Sequence, residues 1–243
     1  MCQLFGLSSN KNVDIQLSLR EFRHRGARNP HGWGFAFYLD DGWKIIKEPK
    51  SLADENIQSK EFQFKSKIII GHVRLATCGN KTHLNTHPFY RNNWVFAHNG
   101  TVKKIMKEKE FKLSELKPFG ETDSEYAFCY LLQKIGKEKA PQKIAEILER
   151  EAEKIKEYGR FNFLLSDGKI LYAYGHDQLS FVKRKAPFQE VTLKDDEYTV
   201  HLSEIKAPDE KAILIATEPF TIDENWQKIL GLKLFKDGEE YLI

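Results

Sequence analysis

The sequence predicts an α+β fold in which helices cover the outer faces of two antiparallel sheets. Strand-like apolar runs crowd both ends of the chain, and two helical segments lie between them. No internal repeat, low-complexity tract or linker divides the 243 residues. The expectation is one domain over residues 1–243.

Residues 3–8 form a short apolar run suited to a buried strand. Asp14 then opens a helix to about residue 24, with Ile15, Leu17, Leu19 and Phe22 as its apolar members. Residues 33–38 are aromatic and strand-like, Asp40-Asp41-Gly42 makes a tight turn, and 43–47 return. Residues 67–73 are a further strand, ending at Arg74. From 75 to 93 the chain is polar and carries Gly79, Asn80, Asn85 and Pro88, which marks a long loop. A loop of that length in a compact domain usually has a task. Residues 94–97 are a short strand. Asp123 or Ser124 caps a helix to residue 135, whose apolar side uses Tyr126, Ala127, Cys129, Leu131 and Leu132. Pro141 sits in a first helical turn, and 142–157 continue as an amphipathic helix. The Lys/Glu-rich stretches 103–117 and 134–157 read as solvated helical faces. Past Gly159 the pattern becomes β, at 161–166, 169–174, 179–184, 198–202 and 212–217. Ser166-Asp167-Gly168 and Lys236-Asp237-Gly238 read as hairpin turns.

Composition narrows the function classes. Lysine and arginine (38) nearly cancel aspartate and glutamate (35), leaving +3 with no basic block, so nucleic acid is not the expected partner. An apolar share of 41% and a charged share of 30% describe a globular, soluble chain. The longest apolar runs, such as Ile68-Ile69-Ile70, fall far short of the roughly 18 residues that span a membrane. No basic-then-apolar leader begins the chain, so no membrane association and a cytoplasmic location are expected. Cys2, Cys78 and Cys129 are odd in number and lack CxxC spacing, which argues against a disulfide framework or a zinc site. No metal and no cofactor are expected.

The chemistry begins at Cys2. A residue this small lets the initiator methionine be trimmed, leaving a thiol and a free α-amine on one residue. An α-amine titrates near ~7.7–8.0, so around neutral pH it can serve as the base that a thiol nucleophile needs. Three further segments stand out: Gly71-His72-Val73-Arg74-Leu75-Ala76-Thr77, Ala97-His98-Asn99-Gly100-Thr101 and Gly120-Glu121-Thr122-Asp123-Ser124-Glu125. Each also has an ordinary reading: Arg74 as a surface ion pair, His98-Asn99-Gly100 as a tight turn, and Thr122 to Glu125 as a helix N-terminus.

With Cys2, these segments resemble the class II glutamine amidotransferase domain, a family of N-terminal-nucleophile hydrolases. Cys2, Arg74, Asn99-Gly100 and Asp123 occur in the family's order and approximate spacing. Asn85-Thr86-His87-Pro88 is similar to the family's Asn-x-His-Pro stretch, and Arg25-Gly26 to its Arg-Gly after the first helix. His31-Gly32-Trp33-Gly34 and Ala216-Thr217-Glu218-Pro219-Phe220 look like members without a fused synthase.

The resemblance implies a four-layer αββα sandwich and hydrolysis of glutamine to glutamate and ammonia through a thioester on Cys2. It implies Asn99 and the Gly100 N–H as oxyanion donors, Arg74 on the substrate α-carboxylate, aided by Thr77, and Asp123 on the α-ammonium. The loop 75–86 is expected to close over substrate. Arg25 and His87 are placed behind these groups. For Arg25 the choice lies between ordering the N-terminus and pairing with an acid, and for His87 between a structural histidine and a substrate contact. His72 and His98 read as packing residues at strand ends, and Cys129 as core. Cys78 stands where many members carry histidine, so no substrate contact is carried over to it. Glutamine is the expected small-molecule substrate, with a separate ammonia-accepting synthase as a possible partner. Two other readings stay open: a hydrolase of another γ-glutamyl amide, or a non-catalytic glutamyl-binding subunit if Met1 is retained.

Overall fold

The computed structural model describes residues 1–242. The chain runs β1 (Gln3–Val13), α1 (Gln16–Arg28), β2 (Trp33–Leu39), β3 (Gly42–Glu48), β4 (Ser66–Val73), β5 (Phe89–Arg91) and β6 (Trp94–Thr101). It continues through α2 (Asp123–Ile135), α3 (Pro141–Lys156), β7 (Arg160–Ser166), β8 (Leu171–Gly175), β9 (Ser180–Lys185), β10 (Glu190–Thr192) and β11 (Thr199–His201). The remaining elements are the single helical turn α4 (Leu202–Ile205), then β12 (Lys211–Ala216), β13 (Gln227–Lys228), β14 (Gly231–Lys236) and β15 (Glu239–Glu240).

Seven strands form one sheet in the order β13-β9-β12-β1-β4-β2-β3, and six form a second in the order β15-β14-β8-β7-β6-β5. Adjacent strands pair antiparallel throughout both sheets. The strands after Asp123 therefore complete both sheets: β9, β12 and β13 join the first, while β7, β8, β14 and β15 join the second.

Alternation along the strands separates three apolar layers. Leu4, Ile70, Ile213 and Ile215 of the first sheet meet Val95, Ala97, Leu164 and Phe235 of the second between the sheets. The opposite face of the first sheet (Phe5, Phe35, Phe37, Ile69) is covered by Ile15, which precedes α1, and by Leu19 and Phe22 of α1. The opposite face of the second (Phe96, Phe161, Phe163) is covered by Phe128, Leu131, Ile144, Leu148 and Ala152 of α2 and α3. This is the αββα sandwich that the family resemblance implied.

Several expectations shift in detail. α1 starts two residues after Asp14, whose carboxylate accepts from the Gln16 N–H at 3.2 Å, and it runs to Arg28. The 75–93 loop ends in the short strand β5. β6 is twice the expected length, so His98-Asn99-Gly100 lies in a strand and not in a turn. Thr122, rather than Asp123 or Ser124, caps α2, its hydroxyl accepting from the Glu125 N–H at 3.1 Å. The stretch 103–117 forms only short 3-10 turns, anchored by buried Ile105 and Phe111.

Candidate active site

Strand register places the chemistry at one end of the sandwich. In the first sheet Gln3 pairs with Val73, which sets Cys2 across from Arg74, the residue just beyond β4. Phe5 pairs with Ala216, which sets Thr217 beside Leu4. In the second sheet Asn99 pairs with Asn162 and Gly100 with Phe161 near the end of β6. Gly100 has φ +157°, and a Cβ there would lie 1.8 Å from the Arg160 carbonyl oxygen, so no larger residue lets β6 and β7 pair this way.

Cys2 Sγ accepts from the Leu75 N–H at 3.2 Å. Burial pushes its thiol pKa up, against the opposing pull of that hydrogen bond, the nearby chain N-terminus and Arg74. The resting thiol is therefore protonated and needs a base.

Arg74 is only 3% exposed. Its guanidinium donates to the carbonyls of Cys78 (2.7 Å), Gly79 (3.2 Å) and Asn80 (3.1 Å), and it makes no ion pair among the described residues. The surface-ion-pair reading is thus excluded. Burial lowers its pKa, with no carboxylate to offset the desolvation. Its backbone is held from both sides, by Arg74 N–H to the Gly32 carbonyl (2.7 Å) and His31 N–H to the Arg74 carbonyl (3.0 Å). His31 Nδ1 also accepts from the Ala76 N–H at 2.9 Å. The His31 to Gly34 motif therefore fixes the root of the 75–86 loop. Asn85 pins the loop's far side, donating to the Asn80 carbonyl (3.1 Å) and accepting from the Glu121 N–H (2.8 Å).

Asp123 opens α2, where its carboxylate accepts from the N–H groups of Val102 (2.7 Å) and Ser124 (3.1 Å). Thr77 meets the Thr101 hydroxyl at 3.2 Å, and its carbonyl accepts from Lys103 Nζ at 2.5 Å. Cys2, Arg74, Thr77, Gly100 and Asp123 surround one small cavity of about 20 Å³. That is room for about one water, not for an amino acid. Asn99 sits one residue back, with its side-chain amide donating to Thr217 Oγ1 at 3.3 Å.

The residues expected behind the site divide. Arg25 is fully buried, away from the cavity, and does both things that its sequence left open. It pairs with Glu21 (3.0 Å) and Asp195 (3.0 Å), it reaches the N-terminal strand through Gln3 Oε1 (3.4 Å), and it also donates to the Glu218 and Pro219 carbonyls (3.2 and 2.8 Å). His87 borders the cavity and stacks on His72 with ring centroids 4.1 Å apart. Among the described residues none of the four ring nitrogens of this pair makes a well-formed hydrogen bond. Burial keeps both rings neutral: it holds the His72 pKa down to about 3 and the His87 pKa well below its usual value. His98 is held by Ser124 (2.8 Å) and the Arg160 carbonyl (3.3 Å), and burial lowers its pKa despite nearby Asp123. Cys129 is buried in α2, and Cys78 Sγ reaches the Glu121 carbonyl at 3.5 Å. Among the described residues no three His, Cys, Asp or Glu side chains cluster as a cation would require, and no helix is long and apolar enough to cross a membrane.

Thr217, Ser124 and Asn162 escaped the sequence reading as site residues. Asn162 donates to the Asn99 carbonyl at 3.3 Å, and its own Oδ1 accepts from the N–H groups of His176, Asp177 and Gln178 at 2.8, 3.1 and 3.2 Å. Only the Ala216 to Phe220 stretch drew attention to Thr217.

Residues 1–242 match the family described as glutamine amidotransferases class-II. A Methanocaldococcus jannaschii protein designated MJ1515 is 39% identical over 98% of this chain and 70% of its own length. YafJ of Escherichia coli K12, assigned by its name to the glutamine amidotransferases, is 36% identical over 98% of this chain and 99% of its own. Among solved structures, a predicted glutamine amidotransferase from Pseudomonas aeruginosa PA01 superposes with a TM-score of 0.74 at 31% identity, covering all of both chains.

Proposed function

The chain belongs to the class-II glutamine amidotransferases, and on that premise we propose that it hydrolyses the glutamine side-chain amide through a γ-glutamyl thioester on Cys2. Met1 is 52% exposed, and Cys2 behind it is small enough for an aminopeptidase to trim the methionine. Its removal supplies the α-amine that takes the Cys2 proton. Sulfur then attacks the amide carbon. The oxyanion is met by the Asn99 amide and the Gly100 N–H, and the amine passes its proton to the departing ammonia. Water cleaves the thioester, releasing glutamate and restoring the thiol. Removing one oxyanion donor should cost roughly 10²–10³ in rate.

One observation carries this reading. A buried guanidinium with no carboxylate partner among the described residues shares a cavity with the thiol of residue 2. Such a charge suits an incoming α-carboxylate, which it would bind as a planar fork. Asp123, across the cavity, suits the α-ammonium. Because the cavity holds about one water, the loop whose Cys78, Gly79 and Asn80 carbonyls accept from Arg74 must release it for glutamine to enter.

Residues 1–243 act on this reading as one amidotransferase domain, in a compartment such as the cytoplasm that keeps thiols reduced. The ammonia goes to solvent or to a separate acceptor protein. Arg74 and Asp123 address only the glutamyl end, so a panel of γ-glutamyl amides decides whether ammonia or a larger amine is the preferred leaving group.

A glutamine-like diazo-ketone should label Cys2 alone, on a peptide that begins at Cys2 by mass spectrometry. Labelling of Cys78 or Cys129 with Cys2 untouched overturns the proposal, and so does a cellular protein that always keeps Met1.

A further inference from the structure

A single hydroxyl joins the nucleophile's strand to the oxyanion side chain. Thr217 follows β12 beside Leu4, its N–H donating to the Leu4 carbonyl at 3.2 Å. Its Oγ1 accepts from the Leu4 N–H at 2.9 Å and from Asn99 Nδ2 at 3.3 Å. The first contact lies two residues beyond Cys2 in one sheet, and the second lies in the other sheet. Leu4, Asn99 and Thr217 are all buried.

A side-chain amide has two N–H bonds in one plane. With one of them on Thr217, the direction of the other is fixed. The Asn99 backbone is held separately, by Asn162 on its carbonyl. Asn99 thus has one brace for its main chain and another for its amide. Oxyanion donors work by being aimed before the charge develops.

We propose that Thr217 is a positioning residue for amide hydrolysis, aiming the Asn99 amide and holding it in register with Cys2. The inference rests on the proposed role of Asn99. A threonine-to-valine change keeps the shape and removes the acceptor, so the amide loses its anchor while Arg74 and Asp123 still hold the head group.

The test is steady-state glutaminase kinetics on processed protein. Thr217→Val should lower kcat about 10-fold and leave KM within about twofold, because only the transition-state contact is disturbed. Thr217→Ser restores the hydroxyl and should recover most of kcat. In an Asn99→Ala background, Thr217→Val should add nothing further, the signature of two residues acting as a unit. Should the valine variant fold poorly, Thr217→Cys, a weaker acceptor, should give an intermediate kcat with unchanged KM. Wild-type kcat in Thr217→Val or Thr217→Cys overturns the inference, as does full additivity with Asn99→Ala. Full activity in Asn99→Ala instead removes the underlying assignment of Asn99, so the two failures are distinguishable.

Discussion

Two buried arginines, Arg25 and Arg74, sit at opposite ends of the scale of compensation. Arg25 meets carboxylates of Glu21, Asp195 and Glu218 as well as carbonyls. Among the described residues the Arg74 guanidinium meets only the carbonyls of Cys78, Gly79 and Asn80. Both donate to the chain, but among the described residues Arg25 alone of the two has its charge cancelled by carboxylates. A cancelled buried charge is architecture, whereas one served by dipoles alone keeps an unspent attraction for an anion. The His72–His87 pair shows a third outcome, in which burial without partners removes the charge itself.

Breaking the compensated end has the largest expected effect. Arg25→Met strands the fully buried Glu21 carboxylate, whose pKa burial already raises. Losing one partner of such a pair costs about 3–5 kcal/mol. Arg74→Met strands only neutral carbonyls, at about 1–3 kcal/mol. Urea midpoints of the two variants should therefore separate clearly, with Arg25→Met the weaker protein. Equal losses would mean that the carboxylates around Arg25 contribute little.

The histidine pair titrates the second kind of burial. In the unfolded chain both rings protonate near ~6.5, while in the fold Arg74, His98 and Lys47 face them and burial holds the His72 pKa to about 3. The unfolded state therefore binds protons first, and stability is full above pH ~6.5 and declines as pH falls. From pH ~6.5 to ~5 His72 should remove about 1.7 kcal/mol, read from unfolding midpoints across that range, and His87 adds to the loss in the same direction. His72→Phe should make the profile shallower over that range. A flat profile in the wild type would show that the pair finds partners, such as buried water.

Much of this was legible in the sequence, and the misses share a cause. α2 ends where the apolar periodicity put it, and Cys2, Arg74 and Asp123 are residue types whose chemistry stands out in isolation. The last turn of α1 was lost because Arg25 reads as a solvent residue, and carboxylates 170 and 193 positions away join Glu21 in making it a core one. β5, β13 and β15 are too short for a two-residue period to register. Asn99-Gly100 looked like a hairpin turn, yet Gly100 is needed for the Arg160 carbonyl to pass close by. Thr217 was invisible as a site residue for the same reason, since its contact with Asn99 spans 118 positions and two sheets. Local pattern reports elements and reactive types, whereas register between distant strands assigns the supporting roles.

The uncompensated end gives the smallest and most discriminating effect. On the proposed reading Arg74 grips the α-carboxylate in ground and transition states alike, so Arg74→Lys should raise KM for glutamine and leave kcat nearly unchanged. Lysine keeps the charge but loses the planar fork, and a charge-assisted hydrogen bond is worth about 1.5–3 kcal/mol. The expected rise is therefore roughly 10- to 100-fold. The same change should also loosen the loop, because one ammonium cannot hold the carbonyls of Cys78, Gly79 and Asn80 together. Amide exchange at Cys78 to Asn80 should then quicken while exchange in β4 stays slow. An unchanged KM would remove Arg74 from the site, and a faster loop with unchanged KM would leave it only as the loop's anchor.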